Sequence, residues 1–263
     1  NATNTAIIEA HGTRAYYIPY EYGSVIGPEH WWKENCVSWY WYLKKYWSVS
    51  IVIAVGYSVG IHVLQRLMAS RQPFQFKIPL ILWNAALSIF SLIGCFRVSE
   101  ELFFVLRTRP LLDSVLYTVD PLQPATLWSS IFCASKILEL ADTLFIVLKK
   151  KPLIFLHWYH HAVVLVYSTH ALMEGVAGCR WFVTMNFAVH ALMYAYYAIT
   201  AAGYRLPRFL SMVITTLQTL QMFVGVAIVI SVLYVKLQGR IAQQSYENLA
   251  ICFATYGSFA ILF

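Results

Sequence analysis

A chain of 263 residues that is 59% hydrophobic and only 12% charged is not a soluble globular protein, because soluble domains carry about 25% charged residues. The net charge of +7 is unevenly placed along the chain. The chain therefore reads as an integral membrane protein with no soluble domain, and no nucleic acid is expected as a partner.

Residues 1–46 mix Trp31, Trp32, Trp39 and Trp41 with charged side chains. That composition suits the membrane interface, so this stretch is expected to form a separate interfacial segment. Asn1-Ala2-Thr3 at its start is a glycosylation sequon. Seven apolar stretches follow, at roughly 47–68, 78–96, 124–148, 153–172, 181–202, 209–235 and 247–263. Most reach the ~20 residues needed to cross a bilayer. They predict an all-α polytopic fold of seven transmembrane helices over 47–263. Pro79, Pro124, Pro152 and Pro207 stand at or beside the boundaries, where a missing N–H costs least. The longest connection is 97–123. The chain begins at Asn1, and its last stretch stops at Phe263, so both ends are expected to continue in a longer protein. No internal repeat is evident, which weighs against an inverted-repeat transporter.

The charges set an orientation. Arg66, Arg71 and Lys77 lie between stretches one and two, Lys149, Lys150 and Lys151 between three and four, and Arg205 and Arg208 between five and six. None of these short loops holds an acid. Glu100, Glu101, Asp113, Asp120, Glu174 and Glu247 fall on the other side. The positive-inside rule puts the basic loops in the cytosol and the N-terminus across the membrane. Cys36, Cys95, Cys133, Cys179 and Cys252 show neither a CxxC pair nor metal-ligand spacing.

Several stretches carry groups that lipid does not tolerate. The third has Lys136, Glu139 and Asp142 at helical spacing, and the fourth has His157, His160 and His161 at i, i+3 and i+4. The fifth has Asn186, His190 and Tyr194 or Tyr197, and the sixth has Thr215, Gln218 and Gln221. At 1.5 Å per residue from the basic end, Glu139, Asp142, the His cluster, His190 and Gln218 all fall roughly 6–18 Å deep. Four helices thus contribute to one polar layer in the cytosolic half of the membrane. It lies within reach of Lys149, Lys150, Lys151, Arg205 and Arg208, and clustered Lys and Arg bind phosphates. An acyl chain on a phosphate-rich carrier fits such a site. Bland readings stand beside this one. Lys136, Glu139 and Asp142 can neutralise one another and pin helices together. Thr215, Gln218 and Gln221 can be interhelical glue. The basic loops can serve topology alone, and His170 reads as structural. Three intramembrane imidazoles on one helix face are harder to explain that way.

The order and spacing of these motifs resemble a known family. Lys136-Ile-Leu-Glu139-Leu-Ala-Asp142-Thr143, His157-Trp-Tyr-His160-His161, Asn186-Phe-Ala-Val-His190 with Tyr194 and Tyr197, and Thr215-Thr-Leu-Gln218-Thr-Leu-Gln221 are similar to the motifs of the very-long-chain fatty acid elongases. Leu153-Ile-Phe-Leu-His157 is most similar to the subgroup that elongates saturated and branched chains. The resemblance implies an endoplasmic reticulum enzyme with seven spans. Six of them would enclose a tunnel closed at the lumenal end, with the first span outside. It implies condensation of acyl-CoA with malonyl-CoA to 3-ketoacyl-CoA, carbon dioxide and CoA, without metal or redox cofactor. His160 would take the acyl group, and His190 would assist at the carbonyls. His157 and His161 would orient the site, with Glu139 and Asp142 fixing tautomers. Lys136, Asn186, Tyr194, Tyr197, Gln218 and Gln221 would complete the polar layer, and Lys149 to Lys151, Arg205 and Arg208 would hold CoA. Expected partners are membrane lipid, the ketoacyl reductase, dehydratase and enoyl reductase of the cycle, and a second copy as a homodimer.

Two other classes remain in view. A di-iron desaturase or hydroxylase also uses HxxHH, but His11, His30 and His62 lie outside the polar layer, which leaves too few ligands. A seven-span receptor or transporter would explain the span count but not histidines beside a Lys/Glu/Asp helix.

Overall fold

A computed structural model describes residues 5–10 and 13–262. The sequon at Asn1, His11 and Phe263 lie outside the described residues. The chain opens with strands β1 (Ala6–Ala10) and β2 (Thr13–Ile18) and helix α1 (Gly27–Tyr46). Then come α2 (Val49–Met68), α3 (Lys77–Thr108), the short α4 (Asp113–Leu116) and strand β3 (Thr118–Val119). Helices α5 (Pro124–Leu148), α6 (Phe155–Glu174), α7 (Cys179–Ala202), α8 (Arg208–Leu237) and α9 (Tyr246–Leu262) complete it.

Seven of the long helices, α2, α3 and α5 to α9, cover the seven apolar stretches. Four of them, α2, α3, α7 and α8, are long and apolar enough to cross a membrane by length and composition. The other three depart for visible reasons. Helix α5 carries Lys136, Glu139 and Asp142, α6 carries the His cluster, and α9 has 17 residues. Outward-facing apolar side chains such as Val52 (71% exposed) and Met212 (67%) suit a lipid surround.

Helix α3 overruns its expected end at 96. Its 32 residues span about 48 Å, beyond the ~30 Å hydrocarbon core. The apolar stripe continues through buried Val98, Leu102 and Val105, while Arg97 and Glu101 on the same stretch are paired with distant partners. Helices α3 and α7 pack along one another. A Cβ on Gly94 would sit 2.5 Å from the Phe187 ring, so the small residue is what lets the two backbones approach.

The described residues ahead of α2 are folded onto the bundle. Strand β1 pairs antiparallel with β2, and β2 pairs parallel with β3 in the connection after α4. Helix α1 packs its Glu29, Trp32 and Cys36 face against the bundle. Trp32 Nε1 donates to Pro121 O at 2.9 Å. Glu29 accepts from Arg97 at 2.7 and 2.8 Å, from Trp128 Nε1 at 2.9 Å and from the Ile26 N–H at 3.0 Å. Burial alone would raise the Glu29 carboxyl; the Arg97 guanidinium and the two N–H donors hold it below the usual carboxylate range.

Candidate active site

Helix α5 supplies the polar spine. Lys136, 3% exposed, donates to Glu139 Oε1 at 2.8 Å and Oε2 at 3.0 Å. It also reaches across to Asn186 Oδ1 on α7 at 3.0 Å. His190 Nδ1, one turn along α7, is 3.8 Å from Glu139 Oε2. The i, i+3 spacing on α5 and i, i+4 spacing on α7 bring Lys136, Glu139, Asn186 and His190 into one network. A buried ammonium left without its carboxylate would cost about 3–5 kcal/mol, so the pair is held firmly.

Asp142 is engaged elsewhere. Trp83 Nε1 of α3 donates to its Oδ1 and the Tyr194 hydroxyl of α7 donates to its Oδ2, both at 2.6 Å. Its carboxylate therefore ties three helices together rather than contacting an imidazole. The hydroxyl beside His157 belongs to the next residue, Thr143. Its Oγ1 is 3.0 Å from His157 Nε2 and 2.6 Å from the Tyr57 hydroxyl of α2. Trp83 and Tyr57 are partners that the sequence did not single out. Helix α2 packs on α5 and α6 and contributes Tyr57 to the hydrogen bonds behind His157.

The histidines of α6 stack as their spacing requires. The His161 ring lies 4.6 Å from that of His157 and 5.7 Å from that of His160. The His160 ring also packs 4.7 Å from Phe259 of α9. Of the two α7 tyrosines, Tyr194 is buried and Tyr197 is 46% exposed. Gln218 Nε2 donates to Met193 Sδ at 3.2 Å, while Gln221 is buried. His170 stands apart, with Nδ1 2.8 Å from Asn248 Nδ2.

His160, Asn186 and Gln221 all line one cavity between the helices. On α6 its wall runs His160, Val164, Tyr167 and Ala171, one helical face. Phe132 and Cys133 of α5, Phe182 of α7, Met222 of α8 and Tyr256 and Phe259 of α9 supply most of the rest. The site is thus a polar head opening onto an apolar body. The basic loops cap the nearer ends of α5 and α7, where Lys151, Arg205 and Arg208 are exposed and Lys149 is half-buried. Lys150, at φ +52°, donates to Ala69 O at 3.0 Å and Arg71 O at 3.1 Å, tying two of these loops together. Among the described residues, no three His, Cys, Asp or Glu side chains converge in a way that could hold a metal ion.

The ELO: GNS1/SUR4 family pattern matches residues 41–263. The chain belongs to that family. Among its curated relatives, a Caenorhabditis elegans protein named as a fatty acid elongase is 47% identical over 85% of this chain and 78% of that one. Very long chain fatty acid elongase 3 of Homo sapiens is 44% identical over 84% and 82%, respectively. Very long chain fatty acid elongase 6 of Drosophila melanogaster is 42% identical over 82% of this chain and 72% of that one. As a member of the elongase family, this chain is an integral membrane enzyme of fatty acid elongation.

Proposed function

We propose that this elongase catalyses the condensing step, joining a long-chain acyl-CoA to malonyl-CoA through a covalent acyl-histidine. The observation that carries the reading is the position of His160, on the boundary between the buried polar network and the apolar cavity. A neutral imidazole is a competent acyl acceptor. One ring nitrogen of His160 attacks the thioester carbonyl carbon; the C–S bond breaks, CoA leaves as the thiol, and an acyl-imidazole remains. Malonyl-CoA then loses carbon dioxide, and its electron pair becomes an enolate. The enolate carbon attacks the acyl-imidazole, the C–N bond breaks, the departing imidazole nitrogen takes a proton from solvent to regenerate neutral His160, and 3-ketoacyl-CoA leaves with two more carbons. His190, with Asn186 and Lys136 behind it, faces the developing oxyanions as a donor. Glu139 holds Lys136, and His157 and His161 buttress His160. Gln218, Gln221, Tyr194 and Tyr197 shape the remaining polar layer, with Asp142 fixing Tyr194.

In this reading α5, α6 and α9 cross the membrane with the other four, giving seven spans. Burial of Lys136 and Glu139 of α5, with Asp142 and the three α6 histidines half-buried beside them, supports it, because the outward-facing side chains of these helices, such as Ile137, Leu138 and Phe155, are apolar. The N-terminus is lumenal, the mouth faces the cytosol, and the membrane is that of the endoplasmic reticulum. Lys149, Lys151, Arg205 and Arg208 attract the CoA phosphates, with Lys150 bracing their loops. The scheme needs no metal or redox cofactor. Product passes to a ketoacyl reductase, a dehydratase and an enoyl reductase, and the resemblance adds a homodimer. The saturated or branched-chain preference is part of the proposal.

The test is an assay of the purified protein with myristoyl-, palmitoyl- and stearoyl-CoA plus malonyl-CoA, read by mass spectrometry. Products two carbons longer are expected, and none with the folded His160→Ala variant. Full activity in His160→Ala would end the nucleophile assignment.

A further inference from the structure

Beneath α1 lies a second cavity. Its outer wall is the α1 face of Cys36, Val37, Tyr40 and Trp41, and its inner wall is formed by the far ends of α5, α6 and α7. Ser129, Leu172 and Cys179 line both this cavity and the one that begins at His160. A single layer of side chains therefore stands between them. Along α6, Leu172 is about 18 Å from His160 and Gly175 roughly 22 Å, so the second cavity continues the first away from the catalytic end. Gly175 ends α6 in the left-handed region at φ +62°, and a Cβ there would lie 2.6 Å from Tyr40 Oη. The Tyr40 hydroxyl thus occupies the helix end where another residue's side chain would stand. Helix α1 is fixed in place by the Trp32 bond to Pro121 and the Glu29 bonds to Arg97 and Trp128, so this face is a wall rather than a loose flap.

We propose that the chamber under α1 receives the far end of long acyl chains, and that Tyr40 sets the longest chain accepted. This rests on the elongase reading and deepens it: the specificity device lies on the N-terminal helix, outside the seven long helices. The occupant follows from continuity. An acyl group held at His160 fills the first cavity, and its next methylenes meet Ser129, Leu172 and Cys179, beyond which apolar space continues. Its polar lining is Tyr40, Lys44, Thr118, Thr126 and Ser129 and the rest is largely apolar, and burying methylenes against that apolar part is favourable at about 0.8 kcal/mol each.

The experiment uses the full chain in detergent with acyl-CoAs of increasing length that carry a diazirine on the terminal carbon, photolysed and mapped by peptide mass spectrometry. Shorter probes are expected to label α6 and α7 near Tyr167 and Phe182. Only the longest should label residues 36–44 of α1, in competition with unlabelled long-chain acyl-CoA. An α1 never labelled at any length would overturn the proposal. So would α1 labelling that is independent of length and resists competition, which marks lipid entering from the side. In the activity assay, Tyr40→Ala should lengthen the longest product by at least one two-carbon step, with the Tyr40→Phe length profile unchanged. An unaltered length profile in folded Tyr40→Ala would count against it. Absence of any condensation product from the wild type would strike the elongase chemistry instead, and the labelling pattern would still report on the chamber.

Discussion

Two clusters of buried charge sit at opposite ends of this bundle, and they differ in what they face. Toward the α1 end, Glu29 (0% exposed) is locked by Arg97 and Trp128, and Arg180 meets Glu101 at 3.0 Å with both side chains buried. None of these charged groups lines either cavity. Toward the basic loops, Lys136 and Glu139 are paired just as tightly, but their network reaches the cavity through Asn186 and stands beside His160 and His190. A buried ion pair is thus no sign of function by itself. The first cluster joins an N-terminal segment to the bundle. The second holds imidazoles where an acyl chain would end.

This contrast can be broken by substitution. His190→Ala, on the site side, should lower kcat by about 10²–10⁴-fold with little change in melting temperature. Steady-state kinetics and thermal unfolding together would show it. Arg97→Ala should do the reverse. Leaving Glu29 buried without its partner costs about 3–5 kcal/mol, read as a lower midpoint of unfolding, while the rate per folded molecule stays near that of the wild type. A kcat loss without destabilisation in Arg97→Ala would erase the distinction.

Smaller effects sharpen it. Arg205→Glu at the exposed mouth should raise KM for CoA esters a few-fold and leave kcat nearly unchanged, as one solvent-exposed ion pair is worth about 1 kcal/mol or less. An unchanged KM would make that loop a topology signal only. The least effect concerns pH. The folded Glu29 carboxyl is held below its ordinary range, so its stabilising contribution is complete above the unfolded carboxylate pKa. It is lost as pH falls through the lower folded value. Thermal unfolding of the wild type should weaken through that acid window, and Glu29→Gln should show a shallower slope there.

Much of this was legible from residue order. Long apolar runs located α2, α3 and α5 to α9, and helical spacing gathered Lys136, Glu139, the three histidines, Asn186 and His190 onto facing surfaces. Periodicity gives a face and a depth, not a neighbour. It could not tell that Asp142 would be taken by Trp83 and Tyr194, or that Thr143 would stand between His157 and Tyr57. Helix α1 was hidden because its packed face, Glu29, Trp32 and Cys36, includes an acid whose partner lies 68 residues away. The last turns of α3 were hidden in the same way. Buried Val98, Leu102 and Val105 continue its stripe, but Arg97, Glu100 and Glu101 look like the start of a loop until their partners are seen.

The most direct measurement is mass spectrometry of the purified protein after incubation with palmitoyl-CoA alone. One palmitoyl group should be found on the peptide containing His160, absent from His160→Ala, and discharged as 3-ketoacyl-CoA when malonyl-CoA is added. Product formation with no acyl adduct on His160 at any time, under conditions that preserve acyl-imidazoles, would contradict the covalent scheme and leave His160 a role in orientation only.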